Sequence, residues 1–326
     1  MPLPPPTSAP FPLPASFPPT DTLFYPATHN AASAPLLLFL PGNPGLINYY
    51  QPFLSHLSAL HPSLTILGAS HAGFTPATAR LNATWAWKWG VGPWRLQQQV
   101  AMKRELLLHA LQQLGQRRVL LMAHSMGAFL SLELITTLKC QDVEVEIAGG
   151  VMLFPTVLGI AESPQGRLLS PFLALGVVRS TLEAAAWCLG FLPKTLVERV
   201  AGVVARQPEE AARVTAVLAT HPAVIRQALS LAAEEMVEIR EDRWEEEVWN
   251  VGGALNGKSG GMVFVFGQKD HWVAEKTRKE IMAMRKGGAK MLVEEKGLPH
   301  GFCIHHGEVM AEMCAGWLRE ILGDEQ

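Results

Sequence analysis

Apolar residues in this chain come as short unbroken runs, separated by longer stretches in which they recur every three or four positions. The runs are Leu36 to Leu40, Leu64 to Ala69, Val119 to Ala123, Ile147 to Phe154, Met262 to Phe266 and Lys290 to Val293. Each is short and bounded by turn residues, which predicts a buried strand. Helical spacing occupies Tyr49 to Leu60, Leu96 to Leu114, the residues after Ser125 to about Leu138, Ala274 to Arg285, and Gly307 to Leu322. Gly115 stands where the second of these should stop. Alternation of the two patterns predicts an α/β protein with a mainly parallel sheet and helices on both faces. From about Val157 to Leu255 the alternation lapses into a continuous helical pattern, which reads as a cap inserted into the domain. Met1 to Pro26 is rich in proline and has neither a basic start nor a continuous apolar core, so it is not expected to be a signal peptide. A mostly extended or disordered arm over residues 1–26 is the expectation, followed by one domain over 27–326 with the cap at about 157–255.

Chemistry enters at one strand-to-helix junction. The run Val119 to Ala123 leads through His124 to Ser125, with small residues two places either side, Ala123 and Gly127. This is the layout of a nucleophile elbow, the strained turn that lifts a serine oxygen above the sheet of an α/β-hydrolase. Residues at those flanking places must be small because the strand and helix backbones pass close together. Two other serines fit the letters. Gly257-Lys258-Ser259-Gly260-Gly261 precedes a strand instead of following one, so it reads as a loop. Ala228-Leu229-Ser230-Leu231-Ala232 lies inside a helical pattern.

A serine hydroxyl is a weak nucleophile at its own pKa. It needs an imidazole to take its proton and a carboxylate to hold that imidazole in the right tautomer. In this fold the chain order is serine, acid, histidine. Asp270 stands just beyond the Met262–Phe266 strand, and His300 stands between the last strand and the last helix. His271, His305 and His306 are the rival histidines, and Glu162 is the rival acid. The oxyanion hole needs two amide donors. Met126 follows the nucleophile, and Asn43 lies in the Pro41-Gly42-Asn43-Pro44-Gly45 loop after the first strand; Pro44 has no N–H to give.

Composition narrows the picture further. The chain has 326 residues, of which 48% are hydrophobic, enough for a substantial core. A formal net charge of -2 gives no global bias toward nucleic acid, which is not an expected partner. The four cysteines, Cys140, Cys188, Cys303 and Cys314, have no metal-ligand spacing and read as reduced thiols; no metal and no cofactor are expected. Leu168 to Leu192 is strongly apolar but is interrupted by Pro171, Arg179 and Glu183. Charges at mid-segment argue against a spanning helix. Two short apolar arms fit either insertion into one lipid leaflet or packing as a cap over the site. Trp85, Trp87, Trp89 and Trp94 fit an interfacial anchor or ordinary core packing equally well.

Several motifs occur together and in order. Pro41-Gly42-Asn43-Pro44-Gly45 is followed by Tyr49, Tyr50 and Phe53, then by Ser70-His71-Ala72-Gly73-Phe74. Gln97-Gln98-Gln99-Val100 with Lys103, Ala123-His124-Ser125-Met126-Gly127-Ala128, Leu153-Phe154-Pro155-Thr156, Ser163-Pro164-Gln165-Gly166 and Leu298-Pro299-His300-Gly301-Phe302 come after. From about residue 20 to 322 the chain resembles the lipid droplet-associated hydrolase family, with Ala123 where that family's elbow usually has glycine. The resemblance implies a serine ester hydrolase of neutral lipids, such as sterol esters or acylglycerols. It also implies residence on the lipid droplet monolayer or the endoplasmic reticulum membrane surface, facing the cytosol. The triad does not encode the leaving group, so an amidase, peptidase or thioesterase stays open. From another class, a droplet-organising surface protein with little turnover stays open too.

Overall fold

Leu36-Leu37-Leu38-Phe39-Leu40 has no side chain to offer water, and alternate residues of a strand point to opposite faces. It therefore needs cover on both sides, and all five residues are buried within a seven-stranded sheet. The structure is a computed structural model describing residues 8–31, 33–75, 92–141, 143–253, 261–285 and 288–323. Trp85, Trp87, Trp89 and the Ser259 loop lie outside the described residues.

The strands are β1 (Thr22–Tyr25), β2 (Leu36–Leu40), β3 (Thr65–Ala69), β4 (Arg118–His124), β5 (Glu146–Leu153), β6 (Met262–Phe266) and β7 (Lys290–Val293). Their order across the sheet is β1-β3-β2-β4-β5-β6-β7. Every pairing is parallel except that of β1 with β3. The register of β4 on β5 shifts by one residue beside Gly149. Gly149 has φ +142°, and a Cβ there would stand 1.9 Å from the Gly261 carbonyl oxygen, so the irregularity requires glycine.

Helices α1 (Gln51–Leu60) and α11 (Gly307–Leu322) pack on each other, and α2 (Leu96–Leu114) packs on α3 (Met126–Cys140). Gly115 ends α2 in the left-handed conformation. Between β5 and β6 the chain makes α4 (Pro164–Leu173), α5 (Gly176–Leu189), α6 (Lys194–Val204), α7 (Glu209–Thr220), α8 (Pro222–Glu238) and the short α9 (Glu246–Trp249). After β6 comes α10 (Glu275–Met284). Ser230 lies within α8. The end of the long helical insertion belongs to the main core. Trp244 packs edge-on against Phe129 of α3, and Trp249 packs tilted against Phe264 of β6 at 4.9 Å.

Of the arm expected to be extended or disordered, residues 8–26 are extended and ordered. Residues 8–26 fold back along the sheet edge. Phe11 and Phe17 are buried, Ala9 bridges Phe24, and the Phe11 amide donates to Thr22 Oγ1 at 2.9 Å. Proline removes ladder donors but does not prevent an apolar anchor from docking. Thr22–Tyr25 alternates half-buried and buried residues, as an edge strand should. It was hidden by the prolines on either side.

Candidate active site

Ser125 sits where β4 ends and α3 begins, with φ 54° and ψ −124°. For a residue bearing a side chain this is a costly conformation. The surroundings enforce it. The Ser125 amide donates to the Leu153 carbonyl at 2.9 Å, and its carbonyl accepts from Ala128 at 2.9 Å. A Cβ on Gly127 would stand 2.4 Å from the Leu40 oxygen and 2.7 Å from the Pro41 oxygen. Glycine is thus required where α3 starts against the end of β2. Ala123, fully buried, is accommodated in the β4 ladder opposite Leu40 and Met152.

Loops following β4, β6 and β7 bring the predicted residues together. His300 Nε2 lies 2.9 Å from Ser125 Oγ. His300 Nδ1 lies 2.8 Å from Asp270 Oδ2 and 3.0 Å from Oδ1. A carboxylate only accepts, so Nδ1 carries the imidazole proton and Nε2 is left to accept from the serine hydroxyl. Asp270 also accepts from the Trp272 amide at 2.8 Å, and its side chain is only 3% exposed. Arg278 braces the turn that carries it by donating to the Gly267 carbonyl at 2.6 Å. His300, not His271, His305 or His306, bridges serine and acid, and Asp270, not Glu162, is the carboxylate beside it.

Met126 is the first residue of α3, so its amide has no acceptor within the helix. The loop bearing Asn43 is held at several points. His71 donates from Nε2 to the Pro41 carbonyl at 2.9 Å, and the Gly42 amide donates to the Tyr50 hydroxyl at 3.1 Å. Burial, reinforced by nearby Lys103, keeps the His71 imidazole well below its usual pKa and therefore neutral. Lys103 is itself buried, donating to the Ala69 and Ser70 carbonyls at 2.7 and 2.8 Å, and burial pulls its ammonium down to about 7. Asn43 reaches across to the cap. Its Nδ2 donates to the Ala228 carbonyl at 3.0 Å and to Glu235 Oε1 at 2.8 Å, both on α8. Burial raises the Glu235 carboxyl to about 7, against the opposing pull of the Asn43 hydrogen bond.

Aromatic rings wall the site. Phe154, which directly follows β5 with φ 47°, stacks on Phe302 at 5.9 Å and meets the His300 ring edge-on at 5.7 Å. Sequence reasoning missed Phe154 as a site residue, and also His124, Tyr50 and Glu235. Tyr50, Phe154 and Phe302 stood in the sequence only within the motifs that carry the family resemblance. His124 had one local signal, its position beside the nucleophile. Glu235 had none, because an acidic pair in a helix usually faces water.

A strained serine at a strand–helix junction, facing a histidine–aspartate pair above a mainly parallel sheet, defines an α/β-hydrolase. Solved structures agree on the fold. A 2-hydroxy-6-oxo-6-phenylhexa-2,4-dienoate hydrolase from Rhodococcus sp. strain RHA1 matches with TM-score 0.57 and 14% identity, over 92% of this chain and 94% of its own. A thioesterase domain from the curacin biosynthetic pathway matches with TM-score 0.51 and 11% identity, over 90% and 94%. The family model for lipid-droplet associated hydrolase matches residues 33–303, and the chain belongs to that family. The lipid droplet-associated hydrolase of Gallus gallus is 29% identical over 294 residues, covering 88% of this chain and 85% of the relative. That of Dictyostelium discoideum is 23% identical over 290 residues, covering 86% of each.

Proposed function

We propose that the chain is a serine ester hydrolase of neutral lipids, acting on sterol esters or acylglycerols through an acyl-enzyme. The observation that carries this reading is the line of hydrogen bonds from Asp270 through His300 to Ser125, at 2.8 and 2.9 Å. Ser125 Oγ attacks the ester carbonyl while His300 Nε2 takes its proton, and Asp270 steadies the resulting imidazolium. Negative charge on the former carbonyl oxygen is met by the amides of Met126 and Asn43. Collapse of the tetrahedral intermediate expels the alcohol, protonated by His300, and leaves the acyl group on Ser125. Water then attacks with His300 again as base. The fatty acid leaves, and the serine is restored without any cofactor.

The lipid class is supported by the name its relatives carry and by the outer face of the cap. Leu168, Phe172, Val177, Trp187, Phe191 and Val203 are all at least half exposed. Apolar exposure on this scale marks an interaction surface. Among the described residues no single helix is long and apolar enough to cross a membrane, and α4 and α5 meet at 88°. Such a bent pair suits shallow seating in one monolayer. The expected location is the lipid droplet and the endoplasmic reticulum, on the cytosolic side.

The test is chemical. A fluorophosphonate should label the native chain, Ser230→Ala and Ser259→Ala, and should fail on folded Ser125→Ala. Esters, thioesters and amides of one acyl chain should then be turned over with esters first. Persistent labelling of Ser125→Ala would remove the nucleophile, and a preference for thioesters would remove the ester assignment.

A further inference from the structure

His124, the residue before the nucleophile, is almost fully buried, and its two ring nitrogens point at different parts of the site. Nε2 lies 2.9 Å from the carbonyl oxygen of His300. A carbonyl only accepts, so Nε2 carries the ring proton. Nδ1, 2.7 Å from the Tyr50 hydroxyl, must then accept from it. The Tyr50 oxygen, having donated, is free to accept the Gly42 amide at 3.1 Å. These partners assign the roles along this line, and the buried Cys303 thiol also meets the Tyr50 hydroxyl. The chain runs Gly42 N–H to Tyr50 O–H to His124 Nδ1, and His124 Nε2–H to the His300 carbonyl. Burial, helped by the neighbouring His300 ring, holds the His124 imidazole well below its usual pKa, which agrees with the single tautomer.

We propose that Tyr50 and His124 are positioning residues that lock the oxyanion loop, the nucleophile elbow and the histidine loop into one preorganised unit. The inference rests on the serine-hydrolase reading above. Its physical content is that Gly42, Ser125 and His300 come from three loops with no covalent reason to hold a common spacing. Reaction requires the serine, its base and the oxyanion donors to be correct together, and errors of about 1 Å are costly. One tyrosine and one histidine span all three loops. Packing fixes the spanning rings. Tyr50 packs on Phe39 at 4.7 Å, and His124 lies edge-on to Phe302 at 5.1 Å and to Phe154 at 6.2 Å. Linked hydrogen bonds in such a buried site reinforce one another. His124 stays uncharged, so it does not oppose the positive charge that forms on His300, whose ring centroid is 5.0 Å away.

Two measurements test this. Tyr50→Phe keeps the ring and removes only the hydroxyl, leaving the Gly42 amide and His124 Nδ1 unmet. It should stay folded, with a melting temperature a few degrees below the parent's because two buried polar groups lose their partner. At saturating fluorophosphonate, its maximal labelling rate should fall on the order of 10-fold, with half-saturation within about twofold. His124→Phe should lose on the order of 100-fold, and His124→Gln, which restores a donor for the His300 carbonyl, should recover part of the loss. If native chain is labelled at Ser125 and Tyr50→Phe reacts as fast, the positioning role is overturned while the hydrolase reading stands. Nitrogen-15 NMR of the ring nitrogens provides a readout that needs no activity. It should find His124 neutral, protonated on Nε2, and unchanged from pH 8 to pH 5. A different tautomer, or titration in that range, overturns the inference even if the labelling reading itself has failed.

Discussion

Ser125 and Phe154 end adjacent parallel strands, and both turn the chain through positive φ without being glycine. Each such residue costs on the order of 1–3 kcal/mol and persists only where its surroundings over-determine it. Here the Phe154 amide is tied to Val265 and the Ser125 amide to Leu153, so each turn is held by the next strand of the sheet. Gly127 is the most constrained position at this junction. Gly127→Ala should destabilise the fold by about 1–3 kcal/mol, since the methyl group meets backbone oxygens that have little room to yield. A urea titration measures it, and an unchanged midpoint would mean that β2 and α3 do not approach as closely as described. Substitutions among Ser125, His300 and Asp270 should behave as one unit. His300→Ala should be nearly as inactive as Ser125→Ala, and Asp270→Asn should lose on the order of 10⁴-fold in ester turnover. The double Asp270, His300 variant should be no worse than His300→Ala. An active Asp270→Asn enzyme would hand the acid's role to another carboxylate.

Elements were legible in the sequence where one local pattern decides them. β6 and β7 begin and end where their apolar runs do, and α11 spans the residues its spacing marks. The elbow could be read because its small residues are fixed by one close approach. β1 was not legible, because Pro18, Pro19 and Pro26 bracket a strand whose partner, β3, lies some forty residues away. The start of α1 shifted to Gln51 because a 3-10 turn precedes it, holding Tyr50 toward the site. In the cap, spacing predicted helices but not which face they turn to water. Leu196, Val200, Val203 and Val204 extend the exposed apolar surface onto α6, beyond the segment that drew attention by composition alone. Because these side chains already face solvent, polar replacements should leave the melting temperature nearly unchanged. Exchanging Phe172, Trp187, Phe191 and Val203 for serine or glutamine should release the protein from droplets, as fractionation or imaging of cells would register. Retention of the folded variant on droplets would place the attachment elsewhere in the chain.

At the scale of the whole molecule, cap and sheet meet at the loop after β2. Asn43 belongs to the loop after β2, yet its side chain is held by the Ala228 carbonyl and the Glu235 carboxyl of α8. Gln227, on the same helix, accepts from the Trp94 amide at 2.7 Å and donates to the Trp94 carbonyl at 2.8 Å, and Glu234 pairs with Arg95 at 2.9 Å. α8 is therefore a strut, and the surface it supports is coupled to the residue proposed as an oxyanion donor. Glu235 gives this strut a pH signature. Its carboxyl rises from an ordinary 4.5 to about 7, chiefly through burial. Between those values the folded chain keeps a proton that the unfolded chain has released. Its contribution to stability is thus complete below pH 4.5 and is lost as pH rises through about 7. At about 1.4 kcal/mol per unit, the difference amounts to about 3–4 kcal/mol. Glu235→Gln retains an oxygen to accept from Asn43 but has nothing to ionise. It should match the parent at pH 4.5 and exceed it in stability at pH 8, with the gap opening between. Paired denaturant titrations across that range measure the difference directly, and the subtraction removes the pH dependence of every other group, Lys103 included. A constant gap between parent and variant at all pH values would mean that the Glu235 proton is not taken up on folding. The strut would then be held by an ionised carboxylate.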